Sequence, residues 1–153
     1  MQFNLDKIKE ITADFFDKMG LGIEVEIKPP KDSTIEIDLR LDNPRFLIGE
    51  RGQTLAEIQY LLKAVFKKQA VAESPFYVNL DINDYKKKKA EYLEEIARNA
   101  ADEVALTKKE KKLHPMPAYE RRIVHLALAP RKDVITESLG REPERYIVIK
   151  SYP

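Results

Sequence analysis

FLIGERGQTLAEIQYLL, residues 46–62, is the stretch whose reading decides the fold. It sets Gly49 and Gly52 three apart, with charged Glu50 and Arg51 between them, after an apolar tripeptide and before a strongly periodic segment. Only five of 153 residues are glycine, so two here are a concentrated use of a scarce residue. Glycine lets the backbone turn with positive φ and lets another chain approach without meeting a Cβ. The helix that follows starts near Gln53 and runs to about Ala70, with an inward stripe of Leu55, Ile58, Leu61 or Leu62, Val65 and Phe66. Helix starts carry unpaired N–H groups and the positive end of the helix dipole, so bare amides from Gly49 to Gly52 would make a seat for a phosphate. The plainer reading is that Gly49 ends one helix, Gly52 tightens a turn, and nothing binds.

Working outward toward the N-terminus, Pro44 can open a short helical turn that Gly49 closes. Before it, IEVEI (residues 23–27) and IEIDL (35–39) alternate apolar and acidic residues, which predicts two strands, each with one buried and one wet face. PPKDS between them predicts a turn, and so an antiparallel pair. Leu5, Ile8, Ile11, Phe15 and Met19 recur at three and four and predict a first helix that stops at Gly20. On the other side, FYVNLDI (76–82) predicts a third strand between Pro75 and Asn83. Helix, two strands, short helix, glycine loop, helix and strand form a complete two-layer unit with one sheet face covered.

The composition shifts near Asp84, which marks a boundary between domains at 1–83 and 84–153. Asp84 is expected to cap a long helix, YKKKKAEYLEEIARNAADEVAL, with inward positions at Tyr85, Tyr92 or Leu93, Ile96, Ala100 and Val104. LHPM (113–116) predicts a short extended segment after the basic TKKEKK. Pro117 opens a further helix, PAYERRIVHLALA, that ends before Pro130, and VITES and RYIVIKSY predict two closing strands joined through LGREPE. The fold class is α+β: two small two-layer domains.

Composition excludes several classes of function. The chain is 43% apolar and 35% charged, which suits a packed core. No apolar run approaches a membrane span and no leader precedes the first helix, so a cytoplasmic protein without direct membrane insertion is expected. Zero cysteines exclude thiolate metal sites, and two widely separated histidines give no ligand pair, so no metal and no cofactor are expected. GERG lacks the Gly-Lys-Ser/Thr that completes a Walker loop, no nucleophile sits beside a base, and no enzyme is expected. The formal net charge of +1 hides bunched basic residues: KKKK at 86–89, KKEKK at 108–112, Arg121 with Arg122, and Arg131 with Lys132. Four consecutive lysines on a helix point around most of its circumference, which predicts a solvated face rather than a flat patch. His114, between Leu113 and Pro115, is expected to be structural.

With its flanking elements, IGERGQTLAEIQYLL resembles the signature of a type II KH domain, in which a GXXG loop clamps the backbone of single-stranded nucleic acid. The resemblance implies a three-stranded sheet with helices on one face. It also implies that Gly49, Glu50, Arg51 and Gly52 form the clamp beside an apolar groove, lined from the adjacent helix and strand, for bases. Glu50 departs from the basic residues usual in that loop, and Arg51 partly compensates.

In PAYERRIVHLAL, Arg121 and His125 are four apart and so share one helix face. A guanidinium forks onto phosphate, and an imidazole can donate to phosphate or stack on a base; the near-neutral reference pKa of His125 makes pH-dependent binding an expectation. Together with Arg122, Ser138, Gly140, Pro143 and Arg145, this half resembles an R-three-H domain, named for an arginine and a histidine separated by three residues. The resemblance implies binding of single-stranded nucleic acid by Arg121, Arg122, His125 and Arg145. A KH domain followed directly by an R-three-H domain is similar to the bacterial Jag family over about residues 23–149. That family implies an RNA-binding protein in post-transcriptional control of growth and envelope functions, with single-stranded RNA, or single-stranded DNA, as the ligand. It sometimes implies a small KH-domain protein partner. Longer members carry an extra N-terminal domain and linker with no counterpart in these residues. The rival reading is a protein-interaction module that dimerises through its KH fold, to which the acidic Glu50 and the near-zero net charge would point.

Overall fold

The computed structural model describes residues 2–153. The chain divides into two compact units, one ending at Lys86 and the other running Lys87–Pro153. The first contains α1 (Leu5–Asp17), β1 (Glu24–Lys31), β2 (Thr34–Arg40), α2 (Arg45–Ile48), a 3-10 turn (Glu50–Gly52), α3 (Gln53–Lys68) and β3 (Tyr77–Ile82). The helix α4 (Tyr85–Thr107) begins at its end. The second contains the rest of α4, then β4 (Lys111–Lys112), α5 (Ala118–Leu128), β5 (Val134–Leu139) and β6 (Tyr146–Ser151).

The first sheet is ordered β1-β2-β3, with β1 antiparallel and β3 parallel to β2. Register pairs Ile35 with Val78, Ile37 with Leu80 and Leu39 with Ile82, so period-2 alternation puts all six on one face. All six are buried, and Ile8 and Phe16 of α1, Leu47 of α2 and Leu55, Ile58, Leu62 and Phe66 of α3 complete that core. Glu36 and Asp38 take the other face, where Asn79 Nδ2 donates to Glu36 and Lys28 pairs with Asp38 at 2.7 Å. The free edge of β3 is partly satisfied from α3, since Leu80 N–H donates to Gln59 Oε1 at 3.0 Å.

Three local expectations are corrected by the structure. β1 continues through Pro29 and Pro30 rather than turning at them; it is an edge strand, where a missing N–H costs no ladder bond, and its register is irregular between Lys28 and Lys31. The turn is confined to the last two residues of the expected PPKDS, Asp32 and Ser33, both at positive φ (50° and 63°), the conformation that closes a two-residue hairpin. On α1 the buried line is Ile8, Thr12 and Phe16, flanked by Ile11 and Phe15, while Leu5 and Met19 are exposed; the helix ends at Asp17 before Met19 can join a stripe. Thr12 is tolerated there because its hydroxyl donates to the Ile8 carbonyl at 2.7 Å. Lys86, first of the four lysines, is not solvated: it is half-buried and its Nζ donates to Gln59 Oε1 (2.6 Å) and Asn79 Oδ1 (2.8 Å).

The second sheet is antiparallel and ordered β4-β6-β5. α4 contributes Leu93, Ala97, Ala100, Ala101 and Val104 to its core and α5 contributes Val124 and Leu128, packed on Val134, Ile147 and Ile149. The small alanines of α4 fill positions that periodicity alone assigns to larger residues, and Tyr92 stays exposed. The 113–116 segment lies along β6, with Leu113 N–H donating to Ile147 O and Met116 N–H to Arg145 O, although the ladder itself starts earlier, at Lys111. Lys111 pairs with Glu103 and the Lys112 ammonium sits 4.0 Å from the centre of the Tyr146 ring, so this part of the basic connector is held by its own unit.

Candidate nucleic-acid interface

In the first unit, α2 and α3 meet at the glycine loop. Gly49 (φ 73°) and Gly52 (φ 77°) both occupy the positive-φ region, and Arg51 between them has φ 54°. A Cβ on Gly49 would lie 2.1 Å from Thr54 Oγ1 and one on Gly52 would lie 3.1 Å from the Tyr85 ring. Gly49 is therefore required by this chain's own packing, and Gly52 is favoured chiefly by its positive φ. The amides divide in two. Gly49 N–H donates to Arg45 O at 2.9 Å and Gly52 N–H to Gly49 O at 3.3 Å, whereas those of Glu50 and Arg51 have no hydrogen-bond partner among the described residues. Of four amides expected to be bare, two are engaged, because Gly49 closes α2 and Gly52 closes the 3-10 turn. Beside the loop lies an open groove of about 980 Å³, walled by Asn43, Arg45, Phe46, Ile48, Gly49 and Tyr85. Phe46 is 56% exposed there, and the walls come from α2, its approach and the start of α4 rather than from a strand.

In the second unit, a depression of about 400 Å³ is lined by Arg121, Arg122, His125, Ser138, Glu142 and Arg145, with Ala118 and Leu126 as apolar parts of the wall. The four residues singled out in this half of the sequence thus come together. Arg121 does not project into solvent: it is 8% exposed, and Nη1 donates both to the Met116 carbonyl (2.7 Å) and to Glu142 Oε1 (2.8 Å). At the start of α5 Ala118 and Tyr119 are exposed, while Glu120 and Arg121 are buried, the latter by its bond to the 113–116 segment. Arg122, one residue on, is exposed. Arg145 is laid along the β5 end, with Nε donating to Ser138 Oγ (3.0 Å) and its other nitrogens directed at the Gly140 and Ser138 carbonyls.

His125 Nδ1 lies 2.7 Å from Thr136 Oγ1, and Nε2 has no partner among the described residues. Burial first, then the positive charge of Arg121 one turn back, holds its pKa below the ordinary 6.5. The imidazole is therefore neutral at pH 7, and a hydroxyl that can either donate or accept leaves the tautomer to be set by what meets Nε2. Three guanidinium groups against one carboxylate leave the depression positive. It can hold an anion with directional donors, and its apolar wall can carry a flat ring.

Sequence reasoning missed Glu142, Thr136, Ser138's partnership with Arg145, and Phe46, Arg45 and Tyr85 beside the loop. β5 alternates regularly, with Val134 buried and Thr136 and Ser138 paired with Ile149 and Ile147 on that same face while Ile135 is exposed. Among the described residues no group of three His, Cys, Asp or Glu is gathered to hold a metal ion, and no helix is long and apolar enough to cross a membrane.

Residues 91–151 match the R-three-H domain family. Over 145 residues the chain is 37% identical to the RNA-binding protein KhpB of Clostridium symbiosum, covering 94% of this chain and 64% of that protein. It is 37% identical over 103 residues to the KhpB of Lactiplantibacillus plantarum (67% and 31% covered) and 32% identical over 118 residues to that of Bacillus subtilis (76% and 56%). The chain thus spans less than two thirds of the length of these relatives.

Proposed function

The chain belongs to the KhpB (Jag) family, and from that premise we propose that it binds single-stranded nucleic acid, RNA in particular, at two places. One is the glycine loop, where the free amides of Glu50 and Arg51 receive a backbone phosphate and Phe46 offers a face to a base. The other is the depression around Arg121, Arg122, His125 and Arg145. The observation that carries the reading is the convergence of those four residues, from α5 and the β5–β6 connection, on one concave and positively charged surface. The names of the relatives, all RNA-binding proteins, point the same way. The family resemblance extends the reading to post-transcriptional regulation linked to growth or envelope. The two domains of the reading are residues 1–83 and 84–153.

The test is fluorescence anisotropy with a labelled twelve-nucleotide uridine strand across a salt series. Several phosphate contacts should give log K a slope of about −0.7 per contact against log salt. No binding even at low ionic strength would sink the reading. A second reading, pairing with another copy of the chain or with a KH-domain protein, draws on the exposed Tyr60 (75%) and Leu61 (51%) of α3. Sedimentation at rising protein concentration separates the two: a salt-insensitive dimer that ignores the uridine strand favours the second.

A further inference from the structure

Arg121 is a nearly buried cation whose charge is answered by an anion from an exposed loop. Its side chain is 10% exposed, whereas that of Glu142, 2.8 Å away, is 57% exposed. The two partners have opposite stakes in the pair. A guanidinium held out of water must keep a counter-charge, because leaving it alone carries a heavy desolvation penalty. A carboxylate already more than half in water regains its hydration by swinging away and loses little. Glu142 also lines the same depression as Arg122, His125 and Arg145. Any phosphate that enters to reach Arg121 meets this carboxylate first, and two anions do not share one guanidinium without repulsion.

We propose that Glu142 is a resident counter-anion, a stand-in for phosphate that keeps Arg121 paired while the site is empty and is displaced by a nucleic-acid phosphate on binding. The inference rests on the anion-binding reading of this depression. Nη1 of Arg121 donates to both Met116 O and Glu142, so releasing Glu142 frees one N–H while the bond to the main chain keeps the side chain in place. The exchange makes the carboxylate a competitor: it lowers affinity for every phosphate ligand, and it raises selectivity for ligands that offer a full charge and two acceptor oxygens, as a phosphodiester does. Arg145 is held by neutral acceptors only, Ser138 and Gly140, and undergoes no such exchange.

The test compares wild type with Glu142→Gln, which keeps the shape and an acceptor oxygen but removes the charge, and with Glu142→Asp. Anisotropy with the twelve-nucleotide uridine strand should show the glutamine variant binding roughly fivefold tighter than wild type. Its melting temperature without RNA should fall, and RNA should raise it by more than it raises wild type. The aspartate variant, which keeps the charge, should stay near the wild-type affinity. If wild type binds and Glu142→Gln binds equally or more weakly, Glu142 merely shapes the loop and the inference is overturned while the binding reading stands. If neither protein binds, both fall together. If only the glutamine variant binds, phosphate does not displace Glu142 from wild type and the inference is overturned.

Discussion

A Cβ placed on Gly49 would lie 2.1 Å from Oγ1 of Thr54 and 2.7 Å from its Cβ. The glycine loop is therefore specified first by the way α2 hands over to α3, and only the residues between the glycines are free to serve a ligand. This separates two kinds of substitution in the same four residues. Gly49→Ala is expected to destabilise the protein, since positive φ and a steric conflict act together, by about 1–3 kcal/mol in chemical denaturation. Any RNA-binding loss it causes is uninformative about a clamp. Changing Glu50 and Arg51 both to Asp is the discriminating experiment. Both side chains are exposed, and Asp tolerates the φ of 54° at position 51 better than most residues, so stability should stay within about 0.5 kcal/mol. Binding of the uridine strand should be lost; unchanged affinity in the anisotropy titration would count against the loop as a phosphate seat.

His125 gives opposite pH responses in folding and in binding. Burial and then Arg121 depress its folded pKa below 6.5, so at pH values below 6.5 the unfolded chain binds the proton more readily than the native one. The neutral ring's contribution to stability is fully present above pH 6.5 and is lost as pH falls through the folded pKa. A phosphate beside Nε2 would favour the imidazolium instead, so affinity for RNA should rise over the same acidic window. Thermal melts and anisotropy titrations from pH 7.5 to pH 5 test both. His125→Gln should flatten the two profiles, and a variant that keeps both slopes would assign them to other groups.

Adjacent arginines on α5 should separate stability from binding. Arg121→Ala leaves the Met116 carbonyl without its donor and opens a buried gap, at a cost of about 1–3 kcal/mol in urea denaturation. Arg122 is exposed, and Arg122→Ala should leave the unfolding midpoint where it is while lowering the salt slope of RNA binding by about 0.7. Arg121→Ala is also expected to weaken single-stranded RNA more than duplex. Equal losses on both substrates would make Arg121 a general charge.

The sheet of the first unit is legible in the sequence because Ile35, Ile37 and Leu39, with Val78, Leu80 and Ile82, alternate without interruption, and a strand with one buried face has no other way to hide them. The inward line of α3 is legible too in Leu55, Ile58 and Phe66, although Leu62 rather than Leu61 is buried and Val65 stays outside the core. On α1 periodicity misleads, because Thr12 is polar in composition but internally satisfied, and a pattern of apolar letters cannot count a threonine whose hydroxyl is already bonded. The two prolines of β1 read as a turn because proline's missing donor matters only where a neighbour would use it, and which edge of a sheet is bare is decided by strand order.

The four-residue spacing of Arg121 and His125 settles that they share a helix face, since 3.6 residues per turn admits little else. Whether that face looks to water or to protein lies outside the sequence. It is fixed by the 113–116 segment, whose Met116 carbonyl takes the guanidinium, and by a loop from far along the chain that brings Glu142 to within 2.8 Å. Local periodicity dictates direction around a helix; burial, counter-charge and the depressed pKa of a histidine arise only when distant segments exclude water from the same place.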